Sequence, residues 1–129
     1  MNILKANILG LAIVGLSYAQ EAATLVHAAS VEATYADVLN EMKKEGYSLE
    51  SASKDAGIKT TIQVTGHYKQ TGSHLEITFI SDNGHTTVRV VQMEQHRYKA
   101  LKTEPWGDTK INTAASQDAA EKLKAGLGW

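Results

Sequence analysis

One short stretch, Asp82-Asn83-Gly84-His85, constrains the fold of this chain more than any other. It lies between two β-rich runs, Ile77–Ile80 and Thr86–Val91. Asn-Gly is the favoured pair for a two-residue type I′ hairpin turn, because both central positions need positive φ. Centring the loop there pairs Asp82 with His85, Phe79 with Val88 and Ile77 with Val90. Upstream, Thr71-Gly72 between Gln70 and Ser73 reads as a second tight turn, pairing Tyr68 with Leu75, Gly66 with Ile77 and Val64 with Phe79.

The two turns together predict a three-stranded antiparallel meander over residues 60–91. One face would collect Ile62, Val64, Tyr68, Leu75, Ile77, Phe79, Val88 and Val90, and the other His67, Lys69, His74, Glu76, Thr78, Thr87 and Arg89. A sheet with one apolar face needs a cover on that side and can meet water on the other. Two helical patterns supply the cover. From Thr34 to Glu45, residues Tyr35, Val38, Leu39 and Met42 recur at helical spacing. Thr34 is the expected N-cap, and Gly46 the C-terminal stop after Lys43 and Lys44. From Ser116 to Ala125, with Ser116 as N-cap and Gly126 as C′, residues Ala119, Ala120, Leu123 and Leu127 give a narrow face of small residues. The expected fold is therefore α+β: an antiparallel meander of three to four strands covered on one face by two helices. Tyr47 and Leu49 suit a short edge strand, and 51–57 reads as a loop. The third strand is expected to bulge or bend after Gln92, and Pro105-Trp106-Gly107 to form a turn whose indole packs on the core edge.

The N-terminus reads as an export signal. Lys5 is followed by the uncharged apolar stretch 6–16, and Ser17-Tyr18-Ala19 offers small residues for cleavage before Gln20. The apolar stretch is too short for a comfortable transmembrane helix. The expected organisation is a signal peptide over 1–19, a leader or short strand over 20–33, and one α+β domain over 34–129. This places the protein in the periplasm or outside the cell. A retained N-terminal helix, as in a membrane-anchored or filament subunit, is the alternative. With 13 basic and 14 acidic residues and no basic run, nucleic acid is not an expected partner. The absence of cysteine excludes disulfides, thiolate metal sites and a cysteine nucleophile.

Chemistry-bearing residues are few. No Gly-x-Ser-x-Gly elbow or phosphate-binding glycine loop occurs, so an enzyme is not expected. The register above would set Glu76 opposite His67, with His74 diagonal to His67 and two positions from Glu76 on its own strand, and two imidazoles with a carboxylate can hold zinc or copper. A cross-strand pair on a solvated face is the plainer reading of the same residues. Gly66 would let a ligand or helix approach the sheet closely, and with Tyr68 and Trp106 it marks the expected ligand-binding cleft between helices and sheet.

Glu45-Gly46-Tyr47, a helix ending in a glycine–aromatic step, leads toward the meander that ends in Thr86-Thr87-Val88-Arg89-Val90. In these features the run from Thr34 to Val90 resembles small exported bacterial domains of unknown function, many of them lipoproteins. A similar layout occurs in the helix-grip domains of an accessory lipoprotein of the outer-membrane assembly machine. This chain differs from both in lacking a cysteine to lipidate. The resemblance implies a non-enzymatic periplasmic binding or accessory role, with a protein or small ligand as partner, and brings no catalytic residues.

Overall fold

A computed structural model describes residues 22–99 and 102–129. The expected signal segment lies outside these residues. Among the described residues, two helices and seven strands form an α+β fold. The strands are β1 (Ala23–His27), β2 (Leu49–Ser53), β3 (Gly57–Thr60), β4 (Gln63–Thr65), β5 (Lys69–Asp82), β6 (His85–Tyr98) and β7 (Lys110–Ile111). The helices are α1 (Val31–Lys44), between β1 and β2, and α2 (Thr113–Leu127), at the C-terminal end. The sheet is antiparallel and open, in the order β1-β6-β5-β3-β2, with β4 added beside β5 and β7 beside β6.

The β5–β6 hairpin is the spine. Its turn is the Asn-Gly pair: Asn83 has φ 48° and Gly84 φ 83°. Ile77 pairs with Val90, Phe79 with Val88 and Asp82 with His85, as the turn chemistry requires. The two strands stay in one register from Asp82↔His85 to Lys69↔Tyr98, so no bulge interrupts β6 after Gln92.

The upstream hairpin differs from expectation. Thr71 and Gly72 lie inside β5, and the chain reverses at 66–68 instead, so that Gln63 faces Ser73 and Val64 faces Gly72. The position indices of these pairs sum to an even number, whereas a Thr71-Gly72 turn would give an odd sum. This difference moves every side chain of 62–65 to the opposite face. Ile62 and Val64 accordingly leave the core face and are 42% and 47% exposed. Tyr68, in the turn itself, is 61% exposed. Gly66 has φ +92°, and a Cβ there would collide with the Lys69 carbonyl. The turn is therefore built around the one residue that can occupy the position. Because the turn sits earlier, β5 is longer, and residues 92–98 find partners that a shorter β5 could not offer.

The remaining apolar set holds its expected face. Leu75, Ile77, Val88 and Val90 pack with Ile58, with Val38 and Met42 of α1, and with Ala120 and Leu123 of α2 in one buried cluster. Tyr35 meets Phe79 edge-on, with centroids 5.5 Å apart. Both helices thus cover one face of a sheet of seven strands, rather than three or four. The extra strands come from three places. Residues 23–27, ambiguous by periodicity, pair with β6. Residues 49–60, read as an edge strand and loop, form the β2–β3 hairpin. Residues 110–111 add a short edge beside Met93 and Glu94.

Caps also move outward. Ser30, not Thr34, caps α1, its Oγ accepting from the Ala33 N–H at 3.1 Å. Asn112, not Ser116, caps α2, accepting from the Ala115 N–H at 2.9 Å. Gly46 follows α1 with φ +90°, as expected of a helix stop, whereas α2 ends at Gly128 rather than Gly126. Gly126 serves helix contact instead, since a Cβ there would run into the Glu41 carboxylate of α1. No helix among the described residues is long and apolar enough to cross a membrane.

Candidate functional site

The β2–β3 pairing shifts register between Leu49 and Ser51, and a second fault, where β3 gives way to β4 along β5, carries the candidate site. β3 pairs with β5 as Lys59↔Glu76, and β4 pairs with β5 as Gln63↔Ser73. Three residues, 60–62, therefore oppose two, 74–75, which is a β-bulge. The bulged residues bond elsewhere. The Thr60 hydroxyl accepts the Leu75 N–H at 2.8 Å, and the Thr61 N–H donates to the Ser48 carbonyl at 2.9 Å. Bulges bend the strand that carries them and re-aim its side chains. Here a cleft of about 320 Å³ opens above the bulge, between the C-terminal end of α1 and the sheet.

Three elements supply its walls. The step after α1 contributes Glu45, Gly46, Tyr47 and Ser48, and α2 contributes Lys122. The sheet contributes Thr60, Gln63, Ser73, His74, Leu75 and Gln92. Gly46 is needed for the first wall because its positive φ ends the helix and swings Tyr47 back over the sheet. Ser116 steadies the third. Its hydroxyl donates to the Asn112 carbonyl at 2.7 Å and accepts the Gln92 N–H at 2.8 Å, fastening α2 to β6 beside the cleft.

The electrostatics of the cleft centre on Glu45. Its side chain is 11% exposed, and Lys122 Nζ stands 3.7 Å from Oε1. That oxygen is buried and has no hydrogen-bond partner among the described residues. Burial first, then the neighbouring Glu41 carboxyl, hold the Glu45 pKa above the usual carboxylate range, against the pull of Lys122. Burial also raises the Tyr47 phenol, with Lys122 opposing. The Lys122 ammonium lies 5.8 Å from the centre of the Tyr47 ring. The cleft thus offers hydroxyls, amides and one ammonium beside a reluctant carboxylate. These groups can hold a small polar molecule by hydrogen bonds and charge.

Of the residues singled out from sequence, His74 lines this cleft, and Gly66, His67, Tyr68, Glu76 and Trp106 lie outside it. Gly66, His67 and Tyr68 form the turn at the far end of β4 and β5. Trp106 sits over Gly72 on the face away from the helices, with Arg97 stacked 4.0 Å from its ring centre. The indole does pack on the sheet, but outside the helix–sheet cleft. His74 and Glu76 do come together: Nε2 and Oε2 are 2.8 Å apart, with the His74 side chain 8% exposed. His67 does not join them. The expected register put it opposite Glu76, whose cross-strand neighbours are in fact Lys59 and Val91. Five residue steps along β5 lead from Lys69, at the His67 turn, to His74, a span of about 17 Å. No three His, Asp or Glu side chains converge as a metal site among the described residues.

Sequence reasoning passed over Glu45, Thr60, Ser73 and Lys122. One signal was available: Glu41 and Glu45 stand at i,i+4 on one helix face, a mildly destabilising like-charge pair that invites a reason. No family model matches this chain, and no curated protein is detectably similar to it in sequence.

Proposed function

We propose that this protein is an exported, non-enzymatic binding module that takes a small polar ligand in the cleft above the β-bulge. The observation that carries the reading is the bulge itself. The sheet gives up a regular ladder where the end of α1, Lys122 of α2 and the hydroxyls of Thr60 and Ser73 surround one opening. The few polar groups that converge there would orient a ligand, as small-molecule sites generally do. Export rests on the N-terminal pattern of Lys5, the apolar stretch 6–16 and Ser17-Tyr18-Ala19.

The test is a thermal-shift screen of amino acids, small carboxylates and sugars, repeated on a Ser73→Phe variant whose ring would fill the cleft. One chemical class should raise Tm with increasing concentration, by about 2.7 kcal/mol of stability at a hundredfold excess over Kd. The effect should vanish in Ser73→Phe. Stabilisation by no class at millimolar concentration, or equal stabilisation of the filled variant, would overturn the reading.

A further inference from the structure

The chain as a whole is nearly neutral, with 13 basic and 14 acidic residues and no basic run. Folding nevertheless gathers cations at one end. The reversal at 66–68 and the segment following β6 lie side by side there. The Lys99 N–H donates to the Tyr68 carbonyl at 2.7 Å, Lys69 pairs with Tyr98, and Lys99 bridges to Thr103. The residues 62–71, 96–99 and 102–104 carry Lys69, Arg97, Lys99 and Lys102 against Glu104 alone, four against one. Subtraction leaves 9 basic and 13 acidic residues on the rest of the chain. The molecule is therefore polarised, net +3 at this end and −4 elsewhere.

Apolar surface is concentrated at the same place. Tyr68 and Tyr98 are both exposed, and their rings lie 5.5 Å apart. Val64 and Ile62 stand exposed just behind. None of the four cations forms an ion pair among the described residues. Arg97 is held by Trp106 and by the side-chain oxygen Oε1 of Gln70, to which its Nε donates at 2.8 Å. Exposed tyrosines suit the boundary between headgroups and acyl chains, with an apolar ring and a wet hydroxyl. Lysines beside them suit anionic headgroups.

We propose that this end of the β4–β5–β6 ribbon docks on an anionic membrane surface, Tyr68 and Tyr98 entering the interface and Lys69, Lys99 and Lys102 meeting the headgroups. Charge complementarity selects the occupant, and the close pair of projecting tyrosines selects a lipid interface over a soluble acidic polymer. The negative remainder of the molecule would orient away from the surface. This proposal is independent of the cleft and its ligand.

Because the chain contains no cysteine, a single environment-sensitive fluorophore can be placed at will. Full-length protein labelled after His67→Cys is mixed with phosphatidylglycerol-containing vesicles, with pure phosphatidylcholine vesicles and with polyglutamate. Protein labelled after Asp55→Cys, in the turn between β2 and β3, is the control. A blue shift at position 67 on anionic vesicles alone, absent at position 55 and lost in high salt, is the expected result. Lys69→Glu with Lys99→Glu should weaken partitioning at least about 25-fold, taking about fivefold for each cation removed. Tyr68→Ala with Tyr98→Ala should weaken it without changing the salt dependence, and both doubly substituted proteins should melt as the parent does. Equal response on neutral vesicles, equal response at the two labels, no loss in either double variant, or a response to polyglutamate but not to vesicles would each overturn the proposal.

Discussion

The two hairpin turns of the spine differ in a way that explains much of the fold. At Asn83-Gly84 both residues adopt positive φ in open solvent, and nothing approaches within 4 Å of where a Gly84 Cβ would stand. That turn is specified by its own two residues. At Gly66 the chain reverses against the Lys69 carbonyl, and the turn is specified by what β4 and β5 do on either side. Thr71-Gly72 looked like a better turn than Gly66-His67-Tyr68, yet Gly72 is used as a platform. A Cβ there would come within 3.0 Å of both Trp106 and Ile62. A glycine in a strand-rich sequence thus marks either a reversal or a close approach, and local chemistry does not choose between them.

Several substitutions would sharpen or break this contrast. The largest effect is expected at the core face that both hairpins share. Ile77→Ala should lower the unfolding free energy by about 2–5 kcal/mol in urea titrations. Val64→Ala, displaced to the open face by the upstream turn, should cost no more than about 0.5 kcal/mol. Comparable losses at the two sites would mean that Val64 is buried and the upstream register is wrong.

Gly66→Ala and Gly84→Ala compare the turns themselves. Both meet the positive-φ cost of a non-glycine residue, about 1–2 kcal/mol. Only position 66 adds a backbone collision, so its loss should be larger, about 2–3 kcal/mol. Equal losses would show that the 66–68 turn relaxes freely.

The helix termini pose the same question of local against tertiary roles. Ser116→Ala should cost about 1–2 kcal/mol by leaving the Gln92 N–H without its acceptor, and amide exchange should accelerate at Gln92. Asn112→Ala should cost about 1 kcal/mol and speed exchange in the first turn of α2. The reverse pattern would restore Ser116 as the cap.

The smallest effect concerns Glu45. Its native pKa is raised, so as pH climbs past the ordinary carboxylate value the unfolded state releases its proton first. Between the ordinary and the raised value the native state binds more protons, and stability falls with rising pH. Glu45→Gln removes that loss, so the variant should melt up to about 4 °C higher at neutral pH. It should match the parent in acid below the ordinary carboxylate range. A variant less stable at neutral pH would mean that the attraction of Lys122 outweighs the cost of burying the carboxylate.

Legibility followed the range of the interactions involved. By itself the sequence determined the β5–β6 register, since Asn-Gly encodes its turn without help. It also determined both helices and the face carrying Leu75, Ile77, Phe79, Val88 and Val90, because periodicity is written in adjacent residues. Tertiary structure alone decided where the upstream chain reverses, that 23–27 joins β6 as a strand, and that Ser116 fastens a sheet instead of capping a helix. It alone decided both proposed surfaces. The cleft depends on a bulge defined by two registers that differ by one residue, and the cationic end on strand termini far apart in the chain. Neither leaves a local pattern, since each arises only when distant segments pair.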